Sequence, residues 1–159
     1  MKMSDRQIIK VSVIFTQVEL HPYLPQRKLY QFCKDNRIEI SAYAPLGSPG
    51  TRLPHVDTTV PGIPRLMEDP LICDIAQNHK ATPAQVLLRW GIQRGYPVIV
   101  KSLNMVRMVE NLGSLGIQLS DQEMEKINAI PTKYRYFHYT SACVPGQTPE
   151  EYFDGEYFN

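Results

Sequence analysis

Charge of one sign, paired cysteines and long apolar runs are all missing from this sequence. Its 159 residues carry 17 Lys and Arg against 16 Asp and Glu. A net charge of +1 gives no bulk attraction toward nucleic acid or an acidic membrane surface. The three cysteines, Cys33, Cys73 and Cys143, are an odd number without metal-ligand spacing. Cys33 and Cys73 fall on predicted helices among apolar neighbours and read as reduced structural thiols rather than nucleophiles. No stretch approaches the roughly 20 apolar residues of a membrane span, and the opening MKMSDRQIIK is too polar for a signal peptide. The expectation is a cytoplasmic protein with no nucleic-acid partner, no membrane partner and no metal. Its 43% hydrophobic and 21% charged residues suit one soluble domain-sized unit.

The most informative stretch that is present runs from Pro97 to Asn111, PVIVKSLNMVRMVEN. Val98, Ile99 and Val100 form a short apolar run after a Gly95–Tyr96–Pro97 turn, which predicts a buried strand. Met105, Met108, Val109 and Leu112 then follow at helical spacing. Lys101 and Ser102 lie at the carboxyl end of that strand, and Asn104 suits the helix N-cap. Arg107 falls in the first helical turn. Cations, a hydroxyl and free helix N–H groups thus converge at a strand-to-helix turn, the usual construction of an anion site in parallel α/β folds. On spacing alone the same residues also fit a solvated helix start with Asn104 as a plain cap, and both readings stand.

Taken in order, Ser4–Lys10 suggests the end of a helix, and Val11–Glu19 a β-branched strand ending at Leu20–His21–Pro22–Tyr23. Pro25 is expected at helix N1, with Leu29, Phe32 and Cys33 as the apolar face of a helix to about Asn36. Ile38–Tyr43 predicts a second strand. Thr51–Glu68, with three prolines, predicts a long irregular loop. Asp69–Pro70 and Thr82–Pro83 are helix starts; the first helix packs through Ile72, Ile75 and Ala76, the second through Ala84, Leu87, Leu88, Gly91 and Ile92. Ser120-Asp121-Gln122-Glu123 is a capping box for a last helix to about Ile130. Beyond Pro131 come Tyr134, Tyr136, Phe137, Tyr139, Tyr152, Phe153, Tyr157 and Phe158, broken by Pro and Gly. So aromatic a tail is expected to pack as a flap over a pocket or core. Alternating strands and helices imply a parallel α/β sheet with right-handed crossovers, although three convincing strands are few for a closed barrel.

Gln17-Val18-Glu19-Leu20-His21-Pro22-Tyr23, Ala42-Tyr43-Ala44-Pro45-Leu46-Gly47-Ser48, Thr82-Pro83-Ala84-Gln85-Val86-Leu87-Leu88-Arg89-Trp90 and Val98-Ile99-Val100-Lys101-Ser102 stand here in order. With Arg107, Glu110 and Asn111 they resemble the C-terminal half of an aldo-keto reductase, and the resemblance covers nearly the whole chain. It implies part of a (β/α)8 TIM barrel over residues 11–130 of a single partial domain, 1–159, with a substrate-loop-like tail over 131–159. It also implies an oxidoreductase that uses NADPH to reduce an aldehyde or ketone to an alcohol. By the same resemblance, Lys101, Ser102, Asn104 and Arg107 grip the adenosine 2′-phosphate, and Glu110 and Asn111 bond the adenine. Tyr43 stacks on the nicotinamide with Gln17 near its carboxamide, and Leu46 and Ser48 follow the pyrophosphate. The residue types suit these roles, since Arg forks onto phosphate and a flat ring leaves one nicotinamide face open.

The sequence departs from the family at Val100, where proline usually precedes the lysine, and at Ala44, where many members have serine. More consequentially, the family's catalytic Asp, Tyr, Lys and His lie in its N-terminal half, and no Asp-x-Ala-x-x-Tyr stretch occurs here. His21 reads as a structural hydrogen-bonder, and Tyr23 as packing without a Lys to lower its pKa. No residue of this chain is therefore assigned a catalytic role. The expectation is a family member inactive in isolation, with a small carbonyl substrate only if an N-terminal half completes it. The alternatives are a non-catalytic NADP-binding or self-associating half-barrel with open sheet edges, or a truncated product without function.

Overall fold

Three parallel strands and the helices that cover one of their faces carry the architecture. The computed structural model describes residues 14–53, 56–59, 61–138, 143–148 and 151. Strand β1 (Phe15–Glu19) leads through helix α1 (Arg27–Asp35) into β2 (Glu39–Tyr43). After a long excursion, helices α2 (Pro70–Asn78) and α3 (Pro83–Gln93) return the chain to β5 (Val98–Ile99). Helices α4 (Met105–Leu112) and α5 (Asp121–Asn128) follow. The sheet order is β1-β2-β5, all parallel, with Gln17 opposite Ser41, Glu19 opposite Tyr43 and Tyr43 opposite Ile99. This is the α/β architecture expected of part of a (β/α)8 barrel.

Alternation along the strands divides the sheet. Val18, Ile40, Ala42 and Val98 turn to the helices and join a core with Leu87, Trp90 and Ile127. Gly91 lets α3 seat on β5, because a Cβ there would lie 2.6 Å from Val98 Cγ1. The opposite face carries Phe15, Gln17, Ser41, Tyr43 and Ile99, and Phe15 and Ile99 on it are exposed. The helix starts are capped as the sequence suggests. Asp69 Oδ1 accepts from Leu71 N at 2.9 Å, and Ser120 and Glu123 form the full reciprocal box. Burial raises the Glu123 carboxyl, but the Ser120 bonds and His79, 2.8 Å away, outweigh it and leave a net shift downward.

Several expectations are corrected. Strand β5 is two residues long, excludes Val100 and leaves Ile99 48% exposed, because it is an edge strand covered on one face only. Pro25 precedes helix α1 without being its N1; Gln26 is the N-cap, in a left-handed conformation, with its Nε2 donating to Glu19 O at 3.1 Å. Phe32 is 57% exposed, since Leu29 and Cys33, one turn apart, take the buried stripe and leave Phe32 rotated away from it. The supposed irregular loop holds a short antiparallel hairpin, β3 (Arg52–Leu53) with β4 (Val56–Asp57), and a 3-10 turn at Leu66–Glu68. The last helix stops at Asn128, with Ala129 as its cap. The apolar stripe of α4 is not buried: Met105, Met108, Val109 and Leu112 are exposed, because nothing among the described residues covers that side. Ser4–Lys10, Val11–Val13, Tyr139, Tyr152, Phe153, Tyr157 and Phe158 lie outside the described residues.

The described part of the tail does pack on the core, and one buried carboxylate fastens it. Glu19, 1% exposed at the end of β1, accepts from Tyr136 N at 2.7 Å and Phe137 N at 3.1 Å, while His21 Nε2 lies 3.0 Å from it. Tyr136 then lies on the chain after β2, donating its hydroxyl to Pro64 O at 2.7 Å and accepting from Leu66 N at 3.3 Å. Burial, before any other influence, pushes the Tyr136 phenol upward, so it stays a donor. Glu19→Gln would turn an amide NH2 toward one of two peptide N–H groups. We expect it to lower unfolding free energy by about 2–3 kcal/mol, since hydrogen bonds to a buried charge are the strong ones. Urea unfolding checks this; wild-type stability in the variant would contradict it.

Candidate functional site

The chain leaves β2 at Tyr43 through backbone that glycine favours. Ala44, Gly47, Ser48 and Gly50 all have positive φ, at 51°, 70°, 47° and 73°. For Ala44 that conformation costs on the order of 1 kcal/mol, so the loop must be held from outside. Two anchors hold it. The Tyr136 ring lies 2.9 Å from where a Cβ on Gly47 would stand, and buried Thr58 donates its hydroxyl to Ser48 O at 2.8 Å while accepting from Thr51 N at 2.9 Å. The Tyr43 ring is set by edge-to-face contact with Phe137, centroids 5.1 Å apart. Through the Phe137 N–H, that contact depends on Glu19.

The second wall is the turn from β5 to α4. Ser102 Oγ accepts from Asn104 N at 3.1 Å, and Asn104 Oδ1 caps the helix by accepting from Arg107 N at 3.2 Å. These two side chains shape the turn. Lys101 and Arg107 are exposed beside it, and neither has an ionic partner among the described residues. The far end of α4 is tied to α3 by Gln85, whose Nε2 donates to Glu110 O at 2.8 Å.

Between the walls lies a cleft of about 1230 Å³. Tyr43, Leu46, Ser48, Lys101, Ser102, Asn104, Arg107, Glu110 and Asn111 all line it, so the structure brings these sequence-predicted residues to one place. Gln17 does not line it; it sits on β1 opposite Ser41, one rung back from Tyr43 on the same sheet face. Ala84, Met67 and Ile99 add apolar wall. A cleft that combines exposed Lys101 and Arg107 with an aromatic ring and apolar wall suits an anionic ligand that carries a flat ring. The other titratable side chains among the described residues that the sequence singled out lie in the packing. Tyr23 donates to Asp69 Oδ2 at 2.8 Å, burial and then that bond push its pKa up, and it is not in the cleft. His21 is wholly buried against Glu19. Cys33 is buried with its pKa pushed up, and Cys73 Sγ donates to Met67 O at 3.6 Å. No cluster of metal-ligating side chains occurs among the described residues.

Sequence reasoning missed three residues that hold the site. Thr58 lies in a stretch read as an irregular loop, and no local pattern points to it. Glu19 was legible only as the end of a strand. Gln85 does carry a signal, since Thr82 and Gln85 have the T-x-x-Q spacing of a capping box, and both of its bonds are present.

Comparison with known proteins places this geometry. The model of the Aldo/keto reductase family matches residues 2–131. Aldo-keto reductase family 1 member C1 of Macaca fuscata fuscata is 40% identical over 149 residues, covering 94% of this chain and 44% of that protein. Member C2 of the same family from Homo sapiens matches with the same identity and coverage. Prostaglandin F synthase 1 of Bos taurus is 37% identical over 153 residues, covering 95% of this chain and 46% of that protein. The chain thus spans less than half the length of these relatives. With most of its residues matched by the family model and its sheet laid out accordingly, the chain belongs to the aldo-keto reductase family.

Proposed function

We propose that the cleft between the β2 loop and α4 binds NADPH by its adenosine end, and that the chain is the cofactor-gripping part of an oxidoreductase acting on aldehydes or ketones. The observation that carries this is the convergence of Lys101, Ser102, Asn104, Arg107, Glu110 and Asn111 with Tyr43 on one cleft. The donor set fits the group. Lys101 and Arg107 lack anionic partners among the described residues, as cations reserved for a phosphate do. In this reading they hold the 2′-phosphate at the first turn of α4, Glu110 and Asn111 face the adenine, Leu46 and Ser48 follow the pyrophosphate, and Tyr43 offers its ring to the nicotinamide. Bound there, NADPH supplies a hydride. The chain's own part is to bind and orient, with Phe137 holding the Tyr43 ring edge-on. Residues 11–130 act as the barrel portion and 131–159 as the wall on the substrate side. The sheet face that leaves Phe15 and Ile99 exposed is the side on which the remaining strands of a barrel would lie.

Two outcomes follow. Arg107→Ala removes a charge-assisted contact and should weaken NADPH binding by about 1.5–3 kcal/mol while leaving NADH binding unchanged. Added salt should weaken NADPH more than NADH, because the contact is exposed. Calorimetric titration of both cofactors checks this; equal affinities in the wild type, or a loss shared by both, would remove the assignment. The second outcome concerns turnover. Without the family's tyrosine donor and its partners, the isolated chain should show no aldehyde-dependent NADPH oxidation, general acid catalysis alone being worth roughly a hundred- to ten-thousand-fold. Steady oxidation that survives repurification would contradict it.

A further inference from the structure

We infer that Gln85, outside the turn that carries Lys101 and Arg107, is a positioning residue that sets the adenine end of the cleft through the backbone of α4. Its amide is used at both ends. Oε1 accepts from Thr82 N at 3.0 Å, closing the capping box that starts α3, and Nε2 donates to Glu110 O at 2.8 Å. One side chain therefore couples the beginning of α3 to the last turn of α4. Both helices line the cleft there, α3 through Ala84 and α4 through Glu110 and Asn111.

Two features show that the bridge is built into the packing. Gly113, just after α4, has ordinary helical φ, so its lack of a side chain is not a matter of backbone freedom. A Cβ there would lie 2.5 Å from Gln85 Nε2 and would push the amide off Glu110 O. Helix α4 also buries none of its own residues. A helix without a buried stripe has little apolar packing to fix its angle, so a polar tie carries more of that task than usual. The Asn104 cap and Ser102 hold the first turn of α4, and Gln85 holds the last. The two ties act on different parts of the ligand. The first turn carries Arg107, whereas the last carries Glu110 and Asn111. Resting on the NADPH reading above, this predicts that Gln85 affects both cofactors alike, since both carry adenosine, unlike Arg107, which discriminates between them.

Gln85→Glu isolates the bridge. Glutamate keeps an acceptor for Thr82 N, preserving the capping box, but has no N–H to give Glu110 O. Gly113→Ala disturbs the same bond from the other side, and Thr82→Ala removes the cap hydroxyl that accepts from Gln85 N while leaving the Gln85 amide in place. Hydrogen exchange on the full chain is the first measurement. Gln85→Glu and Gly113→Ala should each speed exchange of the α4 last-turn amides by about fivefold, with Thr82→Ala without effect there. Unchanged α4 exchange in Gln85→Glu would overturn the inference whatever the nucleotide results. The second measurement is calorimetric titration with NADPH and NADH. Gln85→Glu should weaken both by the same factor, on the order of three- to tenfold, and a loss confined to NADPH would overturn the positioning role. If the wild type binds neither cofactor, the NADPH reading fails and with it the positioning role toward adenine. The exchange result then decides only whether the bridge holds α4.

Discussion

One buried carboxylate sets the terms for the rest of the molecule. Glu19 ends β1 with its side chain out of solvent, and a charge placed there is tolerable only if it is fully hydrogen-bonded. The chain meets that demand with two consecutive peptide N–H groups from beyond its last helix and with His21. The consequence is geometric. Fixing the N–H groups of Tyr136 and Phe137 places both rings: Tyr136 against Gly47 and under Leu66, Phe137 on the edge of Tyr43. The left-handed loop after β2 is thereby clamped from one side by the tail and from the other by Thr58. A constraint at the end of the first described strand thus shapes one wall of a cleft whose other wall begins at Val100.

That second wall is held differently. The first uses burial and a charge; the second uses short polar ties on an exposed helix. Asn104, Ser102 and Gln85 position α4 without the support of a buried stripe, and Lys101 and Arg107 beside them remain solvent-facing. The contrast follows from the sheet. Its helix-facing side is packed, while on the other side the tail covers Tyr43 and Glu19 but leaves Phe15 and Ile99 exposed. A parallel sheet is normally covered on both faces, and relatives more than twice as long have the additional chain to do so.

What could be read from the sequence depended on how local its cause was. Helix starts were legible because a cap acts within four residues: Asp69, Thr82, Asn104 and Ser120 all cap as their spacing implies. The strands were legible as apolar runs, and the cleft residues as a strand-to-helix turn joined to a recognisable pair of motifs. Tertiary context was not legible. Periodicity showed that α4 has an apolar stripe but not that this stripe is exposed, because periodicity reports a face and not its partner. It likewise gave Phe32 to the core when Leu29 and Cys33 already filled the place. The hairpin at 52–57 has no alternating pattern of its own, and the reach of Glu19 to residues 117 and 118 positions away leaves no mark in a local window.

The most direct test is to map where an adenosine 2′-phosphate sits on the isotope-labelled chain. Titration with 2′,5′-ADP, followed by amide chemical shifts, should move residues 101–111 and the loop at 43–51 together, with 5′-AMP producing a much weaker response over the same amides. Perturbations lying elsewhere, or equal responses to the two nucleotides, would contradict a cleft built around Lys101 and Arg107 to hold that phosphate.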